Sequence, residues 1–215
     1  METALTFEDN VTIVTLTHEE AIEALLRLFE QVAVEQGWQS GNQLRAYSEQ
    51  SIYFAVTING DLVGGVQLVV GSTNGLLPCL TVWPELGLSG RTNVTDLALI
   101  AFLSEYRGKC ALFWRVLVEV WRYCHQQGIN ELWMEITPRI LKLYRKLGWP
   151  LEVMGPLRHH WGEECYPCMV DVQELEDLFI GKARQSSFYQ ELLAQAQHDR
   201  PHMGESPLCP TEVVG

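Results

Sequence analysis

The sequence predicts an α/β domain, and three stretches carry that prediction. Residues 52–58, the dipeptide Asn59-Gly60 and residues 62–70 spell a β-hairpin, because Asn-Gly favours the positive φ angles of a tight two-residue turn. Residues 94–103 and 131–136 read as buried strands, with a long amphipathic helix over 111–127 between them. Residues 151–157 and 165–172 read as an antiparallel pair that closes the sheet, joined by a loop over 158–164.

The remaining elements follow in order. Residues 11–16 alternate apolar residues with threonine and predict a first strand. Thr17-His18-Glu19-Glu20 has the spacing of a capping box, with Thr17 as N-cap. The helix it opens gathers Ile22, Leu25, Leu26, Phe29, Val32 and Ala33 on one face and stops near Gly37. Residues 38–49 read as a loop with room for one helical turn, and residues 71–75 as another loop. The strand over 94–103 leads into the turn 104–110. The strand over 131–136 leads into a short helix that ends in Leu143-Tyr144-Arg145-Lys146-Leu147-Gly148-Trp149. Residues 174–180 and 187–196 predict two more helices. The tail from His198 is rich in Pro, Gly and polar residues and is expected to be disordered, so residues 1–197 form one domain and 198–215 an appendage.

Composition narrows the function. A net charge of −12 argues against nucleic acid as a partner. No run of eighteen apolar residues is present, so no membrane span is expected. The acidic N-terminus lacks a basic region before an apolar core, so a cytoplasmic location is expected. The charge is unevenly placed: residues 107–158 carry nine of the fifteen Lys and Arg and a net +5, which leaves −17 elsewhere. A basic segment on an acidic protein points to an anionic ligand or to a solvated helix face. Cys165-Tyr166-Pro167-Cys168 is a CxxC with His159-His160 just upstream. On a strand, however, positions i and i+3 face opposite ways, so no metal site is expected there.

The stretch Arg107-Gly108-Lys109, the helix after it and the ending Tyr-Arg-Lys-Leu-Gly-Trp resemble the acyl-thioester-binding half of the GCN5-related N-acetyltransferase (GNAT) superfamily. The segment Leu77-Pro78 to Trp83-Pro84-Glu85-Leu86, together with Ile136-Thr137-Pro138, Leu147-Gly148-Trp149 and Gly155-Pro156, is similar to acyl-homoserine lactone synthases and long-chain N-acyl amino acid synthases. The resemblance implies a mixed, mostly antiparallel sheet, V-splayed at its centre and flanked by helices. It also departs from the lactone synthases. Their acidic cluster before the hairpin is replaced by Tyr47-Ser48-Glu49-Gln50-Ser51-Ile52-Tyr53, and Gln67 stands where they have an Arg. An amine other than S-adenosylmethionine is therefore the expected acceptor.

The resemblance also implies site residues. Backbone N–H groups near Ile100, Ala101 and Phe102 would polarise the thioester carbonyl. Arg107, Gly108 and Lys109 would meet the pantetheine phosphate at a helix N-terminus, where free N–H groups attract anions. Tyr144 would protonate the leaving thiolate. Asp96 and Glu135 are the carboxylates that strand placement brings near the cleft, and Glu135 sits amid apolar residues as a base would. Six of the seven Trp lie between Trp83 and Trp161 and could wall an acyl chain. Cys110 and Leu112 stand where that turn wants glycine, which disfavours a diphosphate. The expected activity is transfer of a fatty acyl group from an acyl carrier protein thioester to a small-molecule amine, an amino acid first among candidates. The alternatives are a coenzyme A-dependent N-acetyltransferase and a non-catalytic acyl-thioester or protein-binding module.

Overall fold

The computed structural model describes residues 10–38, 45–71 and 77–198. The predicted tail lies outside them apart from His198, as do parts of the loops over 38–49 and 71–75. Eight strands appear among the described residues: β1 (Val11–Thr15), β2 (Ser51–Ile58), β3 (Asp61–Val70), β4 (Val94–Phe102), β5 (Glu131–Ile136), β6 (Glu152–Val153), β7 (Arg158–His160) and β8 (Glu163–Asp171). Among the described residues the helices are α1 (Glu19–Gln36), α2 (Pro78–Val82), α3 (Cys110–Gln126), α4 (Pro138–Lys146), α5 (Val172–Ala183) and α6 (Ser187–His198). The strands lie in the order β1-β2-β3-β4-β5-β8-β6, with β7 added to β8. Every pairing is antiparallel except β4 with β5.

That single parallel pairing sets the shape of the sheet. It holds only at Val94–Glu131, Thr95–Leu132 and Asp96–Trp133. Beyond Asp96, β4 stays paired to β3 and β5 to β8, so the two strands part company in a V. A β-bulge accompanies the divergence. Gln67 and Leu68 of β3 face Leu99 and Leu97 of β4, leaving Ala98 as the extra residue.

One sheet face packs against α3, α5 and α6 around Leu68, Leu97, Leu117, Met134, Val170 and Phe179. The opposite face holds two smaller clusters. One is α1 with Tyr53 and Ala101, and the other is α2 with Val69, Trp133 and Cys165. Burial of these apolar faces is the main force that holds the layers together.

Two expectations need correction. The helix α1 begins one residue late: His18 is the N-cap, in extended conformation and without a side-chain hydrogen bond. The capping box at Thr17 is therefore not formed, whereas the Gly37 stop is, at φ +68°. The predicted loop over 158–164 is a hairpin instead. Trp161 and Gly162, at φ +57° and +87°, make the tight turn between β7 and β8. Its short, polar first strand carries no alternation that could betray it.

Candidate active site

The V between β4 and β5 opens into a cleft of about 1000 Å³. Its walls come from β4 (residues 97–102), β5 (Met134, Glu135, Ile136), the start of α3 (Phe113) and α4. Trp38, at the end of α1, and Trp161, Glu163 and Cys165, on the β7–β8 hairpin, complete it. A hydrogen bond from Trp38 Nε1 to Glu163 Oε1 (3.3 Å) ties those two elements together.

Backbone groups of β4 are left for a ligand by the strand divergence itself. Leu103 N–H donates to Val63 O at 2.9 Å, and the register then directs Ala101 toward β3 as well. Alternation turns the N–H groups of Ile100 and Phe102 to the open edge. The Phe102 carbonyl already accepts from Arg107 Nε there, at 2.8 Å. Ile100 and Phe102 thus offer donors to the cleft, and Ala101 between them does not.

Arg107 has a second partner, Glu35 at the end of α1, with its Nη2 2.5 Å from the carboxylate. The guanidinium therefore braces the turn against β4 and α1 while lining the cleft. Gly108 adopts φ +78°, a value that favours glycine. Lys109 is the N-cap of α3, and its ammonium lies over the Tyr106 ring (4.8 Å). Cys110 is exposed, but Leu112 is 1% exposed and points into the core. The helix thus carries the Leu112 side chain to its inner face, while Cys110 stays at the surface of the turn.

Tyr144 is 6% exposed and borders the cleft. Its ring stacks between Phe113 (5.8 Å) and Trp149 (4.9 Å). Burial raises the phenol pKa, so it carries its proton at neutral pH and can only donate it. The tryptophans behave differently from expectation. Trp83, Trp114, Trp133 and Trp149 belong to the core, and of the six from Trp83 onward only Trp161 lines the cleft. Trp114 instead packs edge-on against Phe179 and Tyr189, since helices α5 and α6 cover that face.

The two carboxylates separate in role. Asp96 sits at the vertex of the V, fully buried, and does not reach the cleft. Its Oδ2 accepts from Cys79 N–H at 2.9 Å, and Oδ1 has no partner among the described residues. Burial, and secondarily the nearby Glu135 charge, hold its carboxyl well above the usual range, and the Cys79 bond offsets this only in part. A raised native pKa stabilises the fold at low pH, and that contribution is lost as pH rises toward the native value. Asp96→Asn, which is neutral throughout, is therefore expected to gain thermal stability relative to wild type as pH increases from 4 to 8. Melting curves across that range test it, and a constant difference between the two proteins would contradict the assignment.

Glu135 lines the cleft. Its Oε2 is hydrogen-bonded to Nδ1 of His160, and Oε1 has no partner among the described residues. Nothing in the local sequence signals this contact. The residues are 25 apart and are joined only through the β5–β8 pairing and the β7 hairpin. Cys165, across the same wall, has its thiol pushed up to about 12, mainly by burial, and is unsuited to nucleophilic work. Cys168 lies in the core cluster on the opposite sheet face, so the CxxC does not converge on one point.

Glu135 and Tyr144 approach the cleft from opposite sides of the sheet. Trp133, two residues before Glu135 on β5, and Cys165, in the cleft wall, belong to the α2 face, whereas Tyr144 packs with α3. The cleft thus passes through the sheet, with a carboxylate–imidazole pair on one side and a phenol plus a helix N-terminus on the other.

No protein-family model matches the chain, and no curated protein matches its sequence. Solved structures do match its fold. FeeM, an N-acyl amino acid synthase from uncultured soil microbes, aligns with TM-score 0.67 and 17% identity over 77% of this chain and 93% of that one. BjaI, a coenzyme A-dependent acyl-homoserine lactone synthase, aligns with TM-score 0.63 and 19% identity over 79% and 88% of the two chains. MesI, another coenzyme A-dependent lactone synthase, aligns with TM-score 0.60 and 18% identity over 89% and 98%. With its single parallel pairing, its splayed centre and these neighbours, the chain has the GNAT fold, in the form taken by N-acyl amino acid and acyl-homoserine lactone synthases.

Proposed function

We propose that the protein is an N-acyltransferase that moves a fatty acyl group from the thioester of an acyl carrier protein to the amine of a small molecule, an amino acid being the first candidate. The observation that carries this reading is the cleft through the sheet, with thioester-binding features on one side and a proton acceptor on the other. The donor's pantetheine arm lies along the free edge of β4, where the Ile100 and Phe102 N–H groups meet its amides and the thioester oxygen. A donor fixed there removes the orientational cost of the reaction, and N–H groups aimed at the developing oxyanion stabilise it. Arg107, Gly108 and Lys109, with the N-terminus of α3, take the phosphate.

The amine enters from the hairpin side. Glu135 accepts its proton, the nitrogen attacks the carbonyl carbon, and the C–S bond breaks. Tyr144 supplies the proton that the departing thiolate needs. Asp96, shut away at the vertex, serves this arrangement as a buried neighbour of Glu135 rather than as a base. The amine that FeeM's description names is an amino acid, which favours that acceptor class here.

The carrier-protein donor is favoured by α4. Its Arg139, Lys142, Arg145 and Lys146 are exposed and have no ion pair among the described residues. Most other arginines are neutralised, as Arg45 is by Glu23 and Glu30. Ile140 and Leu143, 39% and 47% exposed, lie among those cations at the cleft mouth. An apolar patch ringed by free positive charge suits an acidic protein surface. Coenzyme A remains the competing donor, because BjaI and MesI are described as dependent on it.

The test presents matched acyl carrier protein and coenzyme A thioesters with an amino-acid mixture, and reads products by mass spectrometry. The carrier thioester is expected to give the higher kcat/KM. Added salt and the double change Lys142→Glu with Lys146→Glu should each erode that advantage, because both remove docking charge. Arg107→Ala with Lys109→Ala should weaken either donor. Equal use of both donors at all salt concentrations would return the assignment to coenzyme A. Binding without any acylated product would make the protein a thioester-binding module.

A further inference from the structure

We infer that His160 is a positioning and relay residue: it holds Glu135 through Nδ1 and carries the proton taken from the amine out to solvent. The inference rests on the acyl-transfer reading above. The overall reaction joins RCO–SR′ and R″NH3+ to give RCO–NHR″, R′SH and one free proton. The ammonium gives up two protons. One returns to the thiolate by way of Tyr144. The other must leave a site whose walls are largely apolar.

Glu135 cannot discharge that proton by itself. Its side chain is 8% exposed, and its free oxygen Oε1 is shut off from solvent. Among the described residues the one polar group bonded to it is His160, which binds Oε2. The imidazole is 12% exposed, and its Nε2 has no hydrogen-bond partner among the described residues. The carboxylate takes up the proton and passes it from Oε2 to Nδ1 of the imidazole in its Nε2–H form. Loss of the Nε2 proton then leaves Glu135 ionised beside Nδ1–H, and exchange with solvent returns the Nε2–H tautomer for the next turnover. No oxidant or second substrate is required.

The surroundings fit a relay better than a structural ion pair. His160 lies opposite Glu163 in the β7–β8 register, and Glu163 is occupied by Trp38. Arg158, two residues earlier on β7, is turned to Glu85 and the Val82 carbonyl. His159 is exposed, and Asp96 lies behind Glu135 at the vertex. The Trp161 ring packs beside the imidazole at a tilt, with centroids 5.1 Å apart. Glu135 is thus the one carboxylate bonded to His160 among the described residues, and its orientation depends on that bond.

The experiment compares wild type, His160→Asn and His160→Ala in amide formation from the donor that wild type uses best. Asparagine keeps a donor for Glu135 but cannot carry a proton. Under a relay, kcat in His160→Asn falls by about tenfold to a hundredfold, with the donor KM unchanged. Exogenous imidazole, and stronger bases more so, restores His160→Ala in proportion to base concentration. A purely structural imidazole predicts the reverse: full activity in His160→Asn and no rescue. That result, with wild type active, overturns the relay alone. No amide from wild type with any donor overturns the acyl-transfer reading and the relay together. Melting temperature and donor binding of both variants establish that the hairpin has folded.

Discussion

Glu135→Gln is expected to lower kcat by about a hundredfold to ten-thousandfold, the range that a positioned general base contributes. This is roughly 2.7–5.4 kcal/mol of barrier. The substitution keeps the shape of the side chain and leaves a group able to bond His160, so the hairpin and the cleft wall should persist. What it removes is the capacity to take a proton. On the proposed reading the donor is held by β4, the α3 turn and α4, none of which hydrogen-bonds this carboxylate among the described residues. Its KM should therefore change little. Steady-state kinetics with the preferred donor, checked by single-turnover acyl transfer, separate chemistry from binding. A variant with wild-type kcat would mean that water alone deprotonates the amine and that Glu135 serves only to anchor the β7 hairpin.

Tyr144→Phe is expected to lower kcat by roughly tenfold to a thousandfold, with little effect on donor affinity. The ring would stay in its stack between Phe113 and Trp149, so packing is preserved. Only the proton on the phenol is lost. The effect should depend on the thiol released, because a more acidic leaving group needs less help. Donors with activated thioesters should narrow the gap between variant and wild type. An equal loss with every donor would point to a distorted wall rather than a missing acid, and an unchanged kcat would leave Tyr144 a packing role alone.

Much of this architecture was legible from local chemistry. Asn59-Gly60 announced its hairpin, Gly37 ended α1, and the apolar face of α3 fell where the sheet covers it. Short motifs in the right order pointed to the splayed sheet. What escaped was set by long-range pairing. Glu135 meets His160, and Arg107 meets Glu35 across 72 residues, only because the strands and helices have already assembled. The β7 hairpin escaped because Arg158-His159-His160 has no apolar alternation. The tryptophans misled because residue type shows that a side chain will be buried but not in which layer.

The bulge at Ala98 has a consequence for how this strand tolerates change in length. Before it, Val94 and Ala98 pack on the α2 side and Leu97 on the α3 side. After it, Leu99 and Ala101 face α1, while Ile100 and Phe102 face α3. Odd and even positions therefore exchange sides within one continuous strand. A deletion of one residue here would not shorten the strand harmlessly. It would turn four consecutive side chains inside out and rotate the cleft-facing N–H groups of Ile100 and Phe102 onto β3. Length variation among related chains should accordingly avoid this point and gather in the connection between α2 and β4, where one residue more or less reverses nothing.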